Sequence, residues 1–153
     1  MIPVRALLLA LCLVPLSTNA QEPLEQYFES DVLVIVARDA CYRFDIYLAL
    51  DGQQQRRGLM FVREMPERTG MLFVYRNEDY RSMWMKNTYL SLDMVFARRD
   101  GSIANIASDT VPLSETSITS SEPVAFVLEL NAGTARHLSI DEDSRLIWEP
   151  AMQ

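Results

Sequence analysis

The apolar residues of this chain come in short runs with a period of two or no period, which favours strands over helices throughout. Residues 32–37 (VLVIVA) are a continuous, mostly β-branched run, which predicts a strand buried on both faces. Phe44, Ile46, Leu48 and Leu50 alternate with Arg43, Asp45, Tyr47 and Ala49, the pattern of a half-buried strand. Residues 71–75, 82–86, 92–98, 124–130 and 145–148 predict further strands. Asp100-Gly101 between apolar segments predicts a hairpin, because both residues tolerate positive φ. Residues 53–60 lack strand formers and predict a short helix, and a second is expected between Gly133 and Leu138. Residues 63–70 and 110–121 read as loops and 76–80 as a polar turn. Seven or eight strands with one or two short helices predict a single mainly-β domain over 31–150, a sandwich or a barrel.

Residues 1–20 follow a different logic. Arg5 precedes an unbroken apolar run over 6–14, Pro15 ends it, and Thr18-Asn19-Ala20 places small residues before a cut after Ala20. Such a run is too short to span a bilayer, which needs about 17–25 residues. The pattern predicts a cleaved secretory signal, a periplasmic or secreted protein without a membrane span, and a flexible leader over 21–30. Leu11 before Cys12 is not the small residue that a lipoprotein signal requires. The cut leaves Cys41 alone, so no intramolecular disulfide can form and the core must hold the fold.

The 153 residues carry a net charge of -7. That acidity argues against nucleic acid, whose phosphates need a basic face, and against anionic lipid. Residues 53–99 depart from it, with nine basic side chains against five acidic ones. A basic middle either holds an anionic ligand or faces the acidic flanks of its own fold, and the second is the usual outcome.

Catalytic and nucleotide-binding motifs are absent: the sequence holds no GxSxG, HExxH, P-loop or GxGxxG. His137 is the single histidine, so multi-histidine metal sites are excluded, and neither a metal nor a cofactor is predicted. Cys41 and His137 form a thiolate–imidazole pair only if the fold joins them; a free cysteine is more often a small core residue. Met83 and Met85 suit Cu(I), although methionine among Leu, Phe and Val is normally core filler. The sharper cluster is Trp84, Lys86 and Asn87, with Asp93 close behind. It sets an indole beside an ammonium and an amide, and Arg56 and Arg57 can add a bidentate clamp for an anion. Glu129 is the remaining candidate, as a partner for Lys86.

The segments Arg57-Gly58-Leu59-Met60, Gly70-Met71-Leu72-Phe73, Met83-Trp84-Met85-Lys86-Asn87-Thr88, Leu92-Asp93-Met94 and Val127-Leu128-Glu129-Leu130-Asn131-Ala132-Gly133 occur in this order. With them the chain resembles the bacterial and archaeal family called domain of unknown function 192, over about residues 32–148. The resemblance implies a compact, mainly-β sandwich of jelly-roll type, often exported, and brings no reaction or ligand with it. Ser91 stands where the family usually has proline, and Asp141-Glu142-Asp143-Ser144 replaces a Gly-Asp turn.

The leading expectation is a non-catalytic envelope module that binds a small anion or glycan, or serves an envelope protein partner. Its ligand residues would be Arg56, Arg57, Trp84, Lys86, Asn87, Asp93 and Glu129. The alternative is an envelope hydrolase or lyase acting on glycan or peptide, with Asp93 or Glu129 as acid/base and Lys86 as electrostatic partner. Two carboxylates serve glycosidic chemistry only at about 5–9.5 Å separation. A third reading is Cu(I) handling through Met83, Met85 and Cys41.

Overall fold

The computed structural model describes residues 23–149, so the expected signal over 1–20 lies outside the described residues. Within them the chain runs β1 (Glu29–Val36), β2 (Cys41–Ala49), α1 (Gly52–Arg57), β3 (Thr69–Asp79), β4 (Ser82–Met83), β5 (Leu92–Ala97), β6 (Ile103–Ala107), β7 (Ile118–Thr119), β8 (Val124–Asn131), α2 (Thr134–His137) and β9 (Arg145–Ile147). The fold is mainly β with two short helices, as the sequence predicts. Seven strands form one sheet in the order β6-β5-β8-β3-β2-β1-β9, and β4 pairs with β7 as a separate ribbon. Within the sheet only β2 and β3 run parallel, because α1 and the loop after it carry the chain back.

The sheet curls until its edges meet, which settles the sandwich-or-barrel alternative in favour of a nearly closed barrel. Ser102 bridges Arg145, and the Leu146 amide donates to the Gly101 carbonyl at 2.8 Å. Gly101 has φ +83°, and a Cβ there would lie 1.9 Å from the Leu146 oxygen. Only glycine allows that approach. The Asp-Gly pair therefore turns the β5–β6 hairpin and also forms the seam.

Strand alternation then sorts the apolar residues into two cores. Leu33, Ile35, Phe44, Ile46, Leu72, Val95, Leu128 and Leu130 pack inside, with Ala135 and Leu138 from α2 and its C-cap. Met71, Phe73, Met94, Phe96 and Val127 face outward and are buried under Leu59, Val62, Met65 and Met85. This second layer covers β3, β5 and β8 but leaves much of β1 open. Val32 is accordingly 39% exposed while Leu33 and Ile35 are buried, so β1 is half-buried rather than buried on both faces.

Three further expectations change. Of the leader expected over 21–30, the described residues 23–30 pack against the fold: a 3-10 turn spans Leu24–Gln26, Leu24 and Phe28 join the outer core, and Tyr47 donates to Glu25 at 2.5 Å. β3 runs on through 76–79 instead of turning there, and Asp79 still pairs with Val124 across a register shift. Cys41 is exposed rather than a core residue. The two family departures are both fixed locally. The Ser91 hydroxyl donates to the Thr110 carbonyl at 2.7 Å, and Ser144 and Asp141 close their turn through mutual side-chain and backbone bonds.

Asp93 is the polar group on which the inner core turns. It is fully buried on β5, where Oδ1 accepts the Asp109 amide at 3.0 Å and Oδ2 accepts the Ala135 amide at 2.8 Å. α2 has no side-chain cap of its own at Gly133, so Asp93 supplies one from the neighbouring sheet. Replacing it strands the buried Ala135 amide and the part-buried Asp109 amide. Asp93→Ala is expected to cost about 3 kcal/mol in urea unfolding, and Asp93→Asn roughly half of that. A loss for Asp93→Ala below about 0.5 kcal/mol, the size of an ordinary surface change, would contradict the assignment.

Candidate functional site

The outer layer leaves a groove of about 610 Å³. Its floor is Phe73 and Tyr75, the outward-facing residues of β3; one wall is α1 with residues 58–60, and the other is residues 82–88. α1 is short but well terminated. Asp51 accepts the amides of Gln53 and Gln54 at 2.8 and 2.9 Å, and Gln54 answers through the Asp51 amide, a complete capping box. The Gln55 side-chain Nε2 then donates to the Val74 carbonyl at 3.0 Å, beyond the end of the β2–β3 pairing, and clamps the helix to the sheet. Gly58 ends the helix at φ +45°, and a Cβ there would press on the Phe73 ring at 3.1 Å. Glycine lets the chain pass directly over the groove floor.

The opposite wall is a turn, and the strand expected over 82–86 stops at Met83 for that reason. Met85 is fully buried and its amide donates to Ser114, while Thr88 donates back to Met85. The Asn87 carbonyl accepts the Phe61 amide at 2.8 Å and the Thr88 carbonyl accepts the Leu113 amide at 3.1 Å. The turn is thus strapped to the loops on both sides. Asn87, Phe61 and Leu113 all have positive φ (54°, 68° and 61°). Asparagine tolerates that region; for Phe and Leu it costs about 1–3 kcal/mol each.

Five of the seven candidate residues converge here: Arg56, Arg57, Trp84, Lys86 and Asn87 all line the groove. Trp84 is 49% exposed, with the Lys86 ammonium 5.1 Å from its ring. Lys86 pairs with Glu115 at 3.8 Å, an exposed contact, and not with Asp93 or Glu129. Arg57 stacks on Tyr27 at 3.7 Å. No carboxylate, imidazole or thiol is among the residues lining the groove. Phe73, Tyr75 and Gln55 belong to the site and were not expected in it; the run MLFVY reads as core, and only its period of two hints that 73 and 75 share a face.

Asp93 and Glu129 do not join the groove lining, nor each other. Asp93 pairs in register with Leu130, and Met94 with Glu129, so the two carboxyl groups leave opposite faces of the sheet. They cannot flank one scissile bond, so the two do not form a glycosidic carboxylate pair, and Lys86 pairs with neither. Glu129 lies on the outer face between Met71 and Met94, with no hydrogen bond or ion pair among the described residues. Burial pushes its carboxyl up to about 8. The Tyr75 hydroxyl is also pushed up, by burial first, with Arg81 opposing and Glu129 adding to the shift.

The copper set is not assembled either. Met83 accepts the Tyr75 hydroxyl at 3.7 Å and Met85 the Thr110 hydroxyl at 3.3 Å. Cys41 starts β2, whose far end, about 26 Å away, leads into α1. No hydrogen bond joins Cys41 to His137. Among the described residues no group of three or more His, Cys, Asp or Glu could hold a metal, and no helix is long and apolar enough to cross a membrane.

The raised Glu129 pKa has a thermodynamic consequence. The native state keeps a proton that the unfolded chain releases above about pH 4.5, so this contribution is full below pH 4.5 and is lost as pH rises through 8. The slope is on the order of 1 kcal/mol per pH unit inside that window. Thermal melts between pH 5 and 8.5 should show Tm falling with pH, and Glu129→Gln should flatten the fall. Equal slopes in the two proteins would place the titration elsewhere.

No curated protein matches the chain. Solved structures do, among them the following two. A protein from Sinorhizobium meliloti 1021, described as a "putative transcription regulator", is 41% identical with TM-score 0.77, over 78% of this chain and 94% of that one. A protein of unknown function from Novosphingobium aromaticivorans DSM 12444 is 32% identical with TM-score 0.76, over 78% of this chain and 85% of that one. Ten of the fifteen groove-lining residues lie in the segments that carry the family resemblance. Residues 34–148 match domain of unknown function 192, described as an uncharacterised ACR, and the chain belongs to that family.

Proposed function

We propose that this protein is an exported, non-catalytic binding module of the cell envelope, and that its groove holds a small carboxylated glycan unit. One observation carries the reading: the fold brings Arg56, Arg57, Trp84, Lys86 and Asn87, from two distant segments, onto one groove above Phe73 and Tyr75. The cations suit a carboxylate, the exposed indole offers an apolar face to a sugar ring, and the Asn87 amide both donates to and accepts from hydroxyls. A lining without carboxylate, imidazole or thiol favours holding a ligand over acid–base chemistry on it.

Export rests on the pattern over residues 1–20. The Sinorhizobium relative's description does not extend to this chain, because a net charge of -7 and a pI of 4.7 oppose binding to a phosphate backbone.

Calorimetric titration with glucuronate, against glucose as the neutral control, tests the reading. Glucuronate should bind and glucose should not, and Lys86→Ala should weaken glucuronate at least tenfold. Lys86 makes only an exposed ion pair and a ring contact, so its loss should move Tm by no more than about 3 °C. A large Tm drop that parallels the affinity loss would make Lys86 a structural residue and overturn its role.

A further inference from the structure

A second cavity, of about 380 Å³, adjoins the groove and shares Gly52, Gln55 and Tyr75 with it. Gly52 has no side chain to divide the two. The second cavity has different chemistry. Its charged residues are Arg76 and Arg81 against Asp51 and Asp79, which balance, whereas the first is lined by three cations and no acid. Asp51 is engaged with the start of α1. Asp79 accepts the Tyr80 amide through Oδ1 only, which leaves Oδ2 available.

Arg81 carries the stronger signal. Its guanidinium lies 4.0 Å over the Tyr75 ring, the residue at the junction, and one of its outer nitrogens donates to the Asn77 carbonyl. Its Nε is sealed among protein atoms, with no hydrogen-bond partner among the described residues, so what the guanidinium offers the cavity is its outer nitrogens. Acceptors and donors alternating around a neutral cavity match the hydroxyls of an uncharged sugar.

We infer that the second cavity is the adjacent subsite, so that the ligand has at least two sugar units, an acidic one against Arg56, Arg57 and Lys86 and a neutral one against Arg81 and Asp79. This rests on the glycan reading above and narrows it from a single unit to an oligosaccharide with a mixed sequence. Tyr75 and Gln55 lie under the linkage between the units.

The experiment is calorimetric titration of the purified protein with three probes: glucuronate, a disaccharide of glucuronate linked to a neutral hexose, and cellobiose. The disaccharide should bind at least tenfold tighter than glucuronate, and cellobiose weakest. Arg81→Lys keeps a cation near Tyr75 but removes the planar fork of outer nitrogens, and should reduce the disaccharide to the affinity of glucuronate while leaving glucuronate unchanged. Arg76→Ala, at an exposed side chain with no hydrogen bond or ion pair among the described residues, should act in the same direction. If glucuronate binds but the disaccharide binds no tighter, or if both variants weaken the two ligands equally, the second subsite is overturned. If neither acidic probe binds, the glycan reading itself falls and the subsite with it.

Discussion

On β8, Leu128 and Leu130 turn into the barrel while Val127 and Glu129 turn out, and the neighbouring strands β3 and β5 keep the same alternation. The rest of the structure depends on that two-sided burial. The inner face is satisfied when the sheet curls on itself and α2 closes over Ala135 and Leu138. The outer face of β3, β5 and β8 is equally apolar, and the two-stranded β4–β7 ribbon covers only part of it, through Met83 and Ile118. The rest is covered by connections: the turn at Leu24, the segment after α1 that supplies Leu59, Val62 and Met65, and the turn that supplies Met85. Irregular segments do not tile a sheet completely. The groove is the place where two of them face each other across Phe73 and Tyr75.

The walls are held more tightly than loops usually are. The turn at Lys86–Thr88 hangs from four backbone hydrogen bonds and the buried Met85, and two bulky residues beside it accept a left-handed backbone. That strain persists only where surrounding contacts overdetermine it. The result is a groove wall whose backbone is fixed by its own contacts, which under the proposed reading lowers the ordering cost of binding.

Much of the fold was legible in the sequence wherever one face of a strand meets solvent, as in the alternation from Phe44 to Leu50. Legibility failed where both faces are buried. All six residues of β5 are buried, so nothing in LDMVFA tells which side Asp93 takes, and a helix cap on the inside read as a ligand group on the outside. Glu129 suffered the same ambiguity on β8. The N-terminal segment was missed because Leu24 and Phe28 are isolated apolar residues whose partners lie far along the chain. Of the site, the charged wall was visible as a local cluster around Trp84. The floor was not, since Phe73 is itself buried and Tyr75 partly so, and both read as core. Arg81 and its buried Nε depend on tertiary packing and left no trace in the sequence.

Native mass spectrometry of the protein taken gently from the envelope fraction tests the central claim most directly, because one spectrum reports both processing and occupancy. The account predicts a chain that begins at Gln21 and carries a carboxylated saccharide, or takes one up when glucuronate is added, with the adduct lost in Lys86→Ala. An unprocessed chain would contradict export, and a processed chain that stays bare in saturating glucuronate would contradict the groove's assignment.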